Sequence, residues 1–447
     1  MFDLPAELTA RDDPVRVGVV GAGLFGSNLV TQTERVPGLR VAAIADIDRS
    51  KADEAFARAG VDPEGVAHVD GRAAADDRFD AGGRAVLGDG LELARADVDV
   101  LVEATGVPEV GARHAYAAVT AGTHVVMVNV EADTVVGPTL ATLAEANGVT
   151  YSLAYGDQPS LIVELVDWAR LAGFEVVAAG KGVAFRESYH HGTPDDVFDR
   201  VGLSPAVVAD RDLNPRMYNS FLDGTKIAVE MCAVANATGL DVDVSGMHLP
   251  TAEIPEIPSL LSPDGLLDST GVVDSISTLH EDGTPVHEDR DLGLGVFVVV
   301  RSPDGHVQDY LREYAGPGHK VAADGEYALF YRPHHLPGLE TTVSVAQAAV
   351  HGRSTGAPRE RRAEVVGAAK DDLDAGTELD GGGGYTVYGH LVSAGTADAE
   401  GYVPFELLDG AELERDVAED EVVTYDDVAL DTDSFLYSLR RVQEGAA

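Results

Sequence analysis

The stretch VRVGVVGAGLFGSNLVTQTERVPGLRVAAIAD, residues 15–46, decides the fold. Its first six residues are a short β-branched run suited to a strand buried on both faces. Gly21-Ala22-Gly23-Leu24-Phe25-Gly26 follows at once and opens a helical stretch from Ser27 to about Val36, which Pro37-Gly38 stops. Residues 39–45 read as a second strand ending in Asp46, and a helix from about 49 to 59 comes next. This alternation implies a parallel sheet with crossover helices.

The spacing G-x-G-x-x-G at a strand-to-helix turn points to a dinucleotide. Gly21 serves the tight turn, Gly23 lets backbone approach a diphosphate, and Gly26 lets helix and strand pack closely. Leu24 and Phe25 lie at the helix start, where free N–H groups and a partial positive charge favour phosphate. Asp46, 20 residues past Gly26, is placed to accept from both adenosine ribose hydroxyls and to repel a 2′-phosphate. The expected cofactor is therefore NAD or NADP, with NAD favoured.

Working outward, residues 62–90 look like an acidic surface excursion with one short strand. Strands at 98–104, 124–130 and 150–153 alternate with helices at 109–121 and 138–147. The fold class expected is α/β, a doubly wound Rossmann sheet over residues 1–153. Thr105, Gly106, Asn129 and Glu131 stand at its strand ends and should flank the nicotinamide ribose, because ligands of such sheets bind beyond the carboxyl ends of the strands. An α+β substrate and dimerisation domain is expected over 154–352. It has a helix at 160–172, a strand at 175–179, and a loop carrying Lys181. A helix at 219–238 is capped by Gly239, 241–290 is mostly loop, strands lie at 295–301 and 327–331, and a last helix spans 341–351. After a linker at 353–358, short strands between Gly and Asp turns suggest a small β-rich module at 359–435.

Among 447 residues, 76 are Asp or Glu and 32 are Lys or Arg, a formal charge of −44. Nucleic acid is excluded as a partner, since neutralising phosphates needs basic residues. Only five of the basic residues are lysines, a pattern expected of adaptation to a salt-rich cytoplasm, where short-range screening suppresses other repulsions. Cys232 is the single cysteine, so no thiolate metal cluster forms. With no apparent signal peptide and no apolar run of about 18 residues, a cytoplasmic protein off the membrane is expected.

Residues 97–129, DVDVLVEATGVPEVGARHAYAAVTAGTHVVMVN, with the glycine loop before them, resemble homoserine dehydrogenases and, more distantly, the glucose–fructose oxidoreductase/inositol dehydrogenase family. The resemblance covers roughly residues 14–240. It implies an NAD(P)-holding Rossmann half and a mixed half that supplies substrate contacts and a dimer interface, hence a homo-oligomer. Asn129-Val130 stands where homoserine dehydrogenases carry Asn-Lys. Residues 219–239, NSFLDGTKIAVEMCAVANATG, are similar to the segment in which those enzymes place an Asp and a later Lys on substrate. The segments EVVGAAKDDLDAGTELDGGGGYTVYG (364–389) and LLDGAELERDVAEDEVVTYDDVAL (407–430) look like an SAF (antifreeze-like) β-clip module.

An oxidoreductase needs a group beside the reacting C–O to exchange a proton. Lys226 is the first candidate, with Asp223 and Glu230 at i−3 and i+4 on one helical face. Lys181, between two glycines, is the second. The paired histidines 190–191 and 334–335 lack a ligand spacing, so no metal is assigned. The activity expected is NAD(P)-dependent oxidoreduction of a small polar alcohol or carbonyl, sugar- or hydroxy-acid-derived. An epimerase or lyase using bound NAD transiently, or a non-catalytic NAD(H) sensor, are the alternatives.

Overall fold

The computed structural model describes residues 3–211 and 213–445, which divide into two compact units. The first comprises residues 3–161, 336–359 and 434–445; the second comprises 162–335 and 360–433 apart from 212.

The first unit is built on a seven-stranded parallel sheet: β1 (Val15–Val20), β2 (Leu39–Ala45), β3 (Val66–His68), β4 (Arg84–Leu87), β5 (Val100–Glu103), β6 (His124–Met127) and β7 (Tyr151–Leu153). Their order, β3-β4-β2-β1-β5-β6-β7, reverses direction at β1, as in doubly wound sheets. The apolar runs that made β1 and β2 legible are almost wholly buried. Two expectations are corrected. Residues 62–90 are no surface excursion: they add β3, the helix Arg72–Asp80 and β4 to the sheet, the buried trio Ala85-Val86-Leu87 being too short to stand out among acids and glycines. The helix expected at 138–147 starts instead at Val130 and runs to Ala146, with Pro138 inside it.

The second unit holds a mixed six-stranded sheet of β8 (Glu175–Val183), β9 (Asp241–Val242), β10 (Val272–Ser277), β11 (Val296–Arg301), β12 (His319–Val321) and β13 (Tyr327–Arg332), in the order β12-β13-β11-β8-β10-β9. β10 pairs parallel with β8, whereas β11 runs antiparallel to it. Val177, Val272, Ile276, Phe297, Val299 and Leu329 fill one face. The helix Thr225–Thr238, nearly all buried, packs on the sheet and on the antiparallel pair β14 (Ala363–Ala369) and β15 (Val387–Ser393). A smaller pair, β16 (Glu412–Leu413) and β17 (Val428–Ala429), lies beyond.

Residues 241–290 therefore contain a strand, β10, where loop was expected. Its side chains Asp274, Ser275 and Ser277 are polar yet buried, which hides the apolar pattern. The partition also differs from three successive domains. Residues 342–351 rejoin the first unit, where Ser344 Oγ accepts from the Tyr155 amide at 2.8 Å. The C-terminal helix Phe435–Gly445 does so too, with Gln443 Oε1 accepting from Thr139 N at 3.1 Å. Residues 360–433 belong to the second unit, where Asn236 Oδ1 accepts from Arg362 N and Ala363 N at 2.7 and 3.0 Å.

Candidate active site

In the first unit the glycine turn is built as its spacing requires. Gly21 has φ 95°, and a Cβ there would stand 2.5 Å from the Ala104 carbonyl oxygen. At Gly26 a Cβ would overlap the Gly21 carbonyl, so the helix Leu24–Thr33 reaches the strand only through glycine. At Gly23, by contrast, a Cβ would meet nothing within 4 Å. The one glycine that forms no packing contact is the one whose missing side chain leaves open surface at a helix N-terminus, which fits a diphosphate. Leu24 is exposed and Phe25 half-buried at this mouth.

Asp46 ends β2 and closes on the turn: Oδ2 accepts from Ala22 N and Oδ1 from Asp48 N, both at 2.8 Å. Arg49 turns away to Asp70 at 2.5 Å. Beyond β5, Thr105 Oγ1 donates to the fully buried Glu103 at 2.5 Å, and Gly106 has φ 67°. Asn129 and Glu131, expected at the end of a strand, sit instead at a helix start, where Asn129 Oδ1 caps the Ala132 amide at 3.1 Å. The neighbouring strands β2, β1, β5 and β6 bring these groups to the same, carboxyl-terminal edge of the sheet.

The catalytic candidates are distributed differently from the sequence expectation. The helix expected at 219–238 is broken at Gly224 (φ 91°) into Pro215–Leu222 and Thr225–Thr238, so Asp223 does not share a helical face with Lys226 and Glu230. Asp223, fully buried, accepts from Lys370 Nζ at 2.8 Å; the same ammonium donates to Gly192 O at 2.8 Å and Gly384 O at 2.7 Å. All three of its donors are thereby used. Lys181 is not in a loop: it lies on β8, buried, in an ion pair with the buried Glu230. Its flanking glycines answer to close backbone approach, since a Cβ at Gly180 or Gly182 would strike the carbonyl of Asp274 or Leu292. Lys226 is half-buried.

The second unit has its own cleft of about 690 Å³, and neither Lys181 nor Lys226 is among the residues lining it. Four histidines do: His190, His191, His248 and His390, together with Tyr388 and Asp420. His248 stands in a loop forced into the left-handed region, with φ 81° at Gly246, 68° at Met247 and 47° at Leu249. Non-glycine residues held there cost of order 1–3 kcal/mol each and persist where neighbours over-determine them. Here the neighbour is Asp274 on β10, wholly buried. It takes His248 Nδ1 at 2.7 Å, the His248 amide at 3.2 Å, the Leu249 amide at 3.1 Å and the Ser275 amide at 2.7 Å.

The imidazoles are tuned in opposite directions. The Asp274 carboxylate raises the His248 pKa against the effect of burial, and Asp243 and Asp268 add to it. Burial lowers His190, whose Nδ1 donates to the Asp223 carbonyl at 2.7 Å while its ring stacks on Tyr388 at 4.2 Å. Burial likewise lowers His390, whose Nε2 meets Ser245 Oγ at 2.8 Å. Such divergence gives the imidazoles of one cleft different affinities for a proton. His191 sits between Glu419 and Asp420, both at 3.1 Å, so each of its nitrogens already has a carboxylate. Sequence reasoning passed over His248; the available signal was Asp274, an acid inside the apolar run VVDSIS that demands a buried partner.

Residues 17–154 match the family model described as homoserine dehydrogenase, NAD binding domain, and residues 156–341 match that of oxidoreductase DRL, catalytic domain. No curated protein matches the chain. Among solved structures, a probable dehydrogenase from Thermotoga maritima is similar at 13% identity over 64% of this chain and 72% of that one, with a TM-score of 0.33. A 1-deoxy-D-xylulose 5-phosphate reductoisomerase from Zymomonas mobilis in complex with NADPH is similar at 14% identity over 75% and 81%, TM-score 0.35. The myo-inositol dehydrogenase from Lactobacillus casei is similar at 15% over 41% and 50%, TM-score 0.28. The chain thus joins an NAD-binding domain of the homoserine dehydrogenase type to an oxidoreductase catalytic domain, and is an NAD(P)-dependent dehydrogenase or reductase.

Proposed function

We propose that the chain interconverts a small polar alcohol and its carbonyl, the substrate being sugar- or hydroxy-acid-derived. The nicotinamide group supplies the hydride acceptor or donor. The observation that carries this reading is the open surface over Gly23 beside the two sterically obligate glycines, Gly21 and Gly26. In this reading Gly21, Gly23, Leu24, Phe25 and Gly26 hold the diphosphate. Asp46 turns from Ala22 to the ribose hydroxyls, which favours NAD over NADP. Thr105, Gly106, Asn129 and Glu131 serve the nicotinamide side.

The cleft of the second unit has a lining suited to hydroxylated ligands. Imidazoles, serines and carboxylates line it, and among the described residues no Lys or Arg does. Such a surface hydrogen-bonds hydroxyls and repels a phosphate. The β-clip reading of residues 359–435 adds the association with sugar acids, by analogy alone.

The test is a panel of polyols, inositols and aldonates in molar KCl, each with NAD⁺ and NADP⁺, followed by nicotinamide absorbance. Turnover of a neutral polyol with NAD⁺ preferred is expected. Heat of nucleotide binding without turnover of any panel member would refute the substrate reading.

A further inference from the structure

We propose that Glu103 is a positioning residue for the nicotinamide end of the cofactor, fixing the Thr105–Gly106 turn and the Asn129 amide. The inference rests on the nicotinamide-side reading of those residues above and deepens it, and it lies wholly within the first unit. Glu103 is the last residue of β5 and has no exposed surface. Among the described residues, the basic side chain that pairs with it is His114, itself buried, with Nδ1 at 3.5 Å; no Lys or Arg does so. A carboxylate taken out of water is costly unless it is hydrogen-bonded, so the bonds it makes decide why it is there. Oε1 collects the donors of the turn, Thr105 Oγ1 at 2.5 Å and Thr105 N at 3.2 Å. Thr105 is half-buried and Gly106 exposed, so through them the buried carboxylate governs backbone at the open edge of the sheet.

The other carboxylate oxygen carries the second half of the argument. Glu103 Oε2 has no hydrogen-bond partner among the described residues, and neither has Nδ2 of Asn129, a residue 1% exposed just past β6. Both atoms face one place: a Cβ on Gly111, in the helix Pro108–Ala121, would stand 2.9 Å from Glu103 Oε2 and 2.5 Å from Asn129 Nδ2. Neither group is free to turn away. Asn129 Oδ1 caps the Ala132 amide at 3.1 Å, which aims its NH₂ the opposite way, and Thr105 holds Glu103 by Oε1. A buried acceptor at the end of β5 and a buried donor beyond the adjacent β6 thus converge under the edge where ligands of such sheets lie. Only a carboxylate serves both sides, since it offers acceptors alone. A glutamine would set an NH₂ against either the Thr105 N–H or the Asn129 NH₂, donor against donor.

The experiment reads binding and needs no turnover. Full-length wild type, Glu103→Gln, Thr105→Val and Thr105→Ser are titrated by calorimetry in molar KCl, with the thermal transition of each as the folding control. The probes are NAD⁺ or NADP⁺, whichever the wild type binds more tightly, and the matching ADP-ribose or its 2′-phosphate, which lacks the nicotinamide. A hydrogen bond to a charged group, once lost, leaves a buried atom unpaired, so Glu103→Gln and Thr105→Val should each bind the dinucleotide at least about tenfold more weakly. Affinity for the nicotinamide-free probe should stay within about twofold, a split that a merely structural defect would not produce. Thr105→Ser keeps the hydroxyl and should return dinucleotide affinity to within about threefold of wild type. Equal loss of both probes, unchanged dinucleotide affinity in Thr105→Val, or a Thr105→Ser as weak as Thr105→Val overturns the role and leaves the nucleotide reading standing. If Glu103→Gln melts below the assay temperature, the two Thr105 variants decide by the same criteria. A wild type that gives no heat with either dinucleotide brings down the nicotinamide-side reading and this role together.

Discussion

Asp133 offers a test of the first unit that is independent of any substrate. It lies in the helix Val130–Ala146 at zero exposure, with one hydrogen bond to its carboxylate: the Tyr151 hydroxyl donates to Oδ1 at 2.8 Å, and Oδ2 has no partner. Burial outweighs that bond and pushes its pKa from the ordinary 3.8 to about 7. Between those two values the folded protein keeps a proton that the unfolded chain releases. The native state binds more protons there, so stability falls as pH rises through the window; below about 4 both states are protonated, and above about 7 both are ionised. Three pH units at about 1.4 kcal/mol each give a penalty of order 4 kcal/mol at pH 8.

Asp133→Asn removes that penalty. The amide oxygen still accepts from Tyr151, but its NH₂ replaces the unpartnered Oδ2 and is itself buried, at a cost of about 1–3 kcal/mol. The two effects cross. Above pH 7 the variant should be more stable than wild type by about 1–3 kcal/mol, below pH 5 it should be less stable, and the curves should meet near pH 5–6. Scanning calorimetry of both proteins in molar KCl, from pH 4 to 8.5, reads this directly. A variant whose deficit is the same at every pH would refute a neutral Asp133.

Two further outcomes follow from the contacts described. Gly26→Ala drives a Cβ into the Gly21 carbonyl and should abolish measurable nucleotide binding with loss of stability, whereas Gly23→Ala meets no protein atom and should keep the melting temperature while weakening the nucleotide at least tenfold by calorimetry. Lys370→Met strips the fully buried Asp223 of its cation and the Gly384 carbonyl of its donor, so it should destabilise the second unit by about 3–5 kcal/mol in urea unfolding, and Lys226→Met, at a half-buried position, by far less.

What was legible in the sequence is what short-range sterics decide. Gly21 and Gly26 are glycines because backbone atoms within the same turn or on the adjacent β5 end leave no room for Cβ, so spacing alone announces them. The Gly239 cap, which ends its helix at φ 73°, is local in the same sense. The candidate catalytic side chains obey other rules. Lys226 looked privileged because it shared a helical period with two acids, but one φ of 91° at Gly224 cuts that period. The acids then take cations from afar: Glu230 pairs with Lys181, 49 residues away, and Asp223 with Lys370, 147 residues away. These partners are set by sheet register and by the packing of β14 and β15 on the helix, neither of which has a one-dimensional signature. Lys181 is paired with Glu230, and Lys370 uses all three of its donors inside the second unit. The cleft instead exposes a histidine whose partner lies 26 residues on, in a strand whose buried polar residues made it read as loop. In a chain so short of lysine, Lys181, which drew attention by its scarcity, and Lys370, which did not, answer the same need: a carboxylate with no access to water requires a cation, and here these lysines supply it.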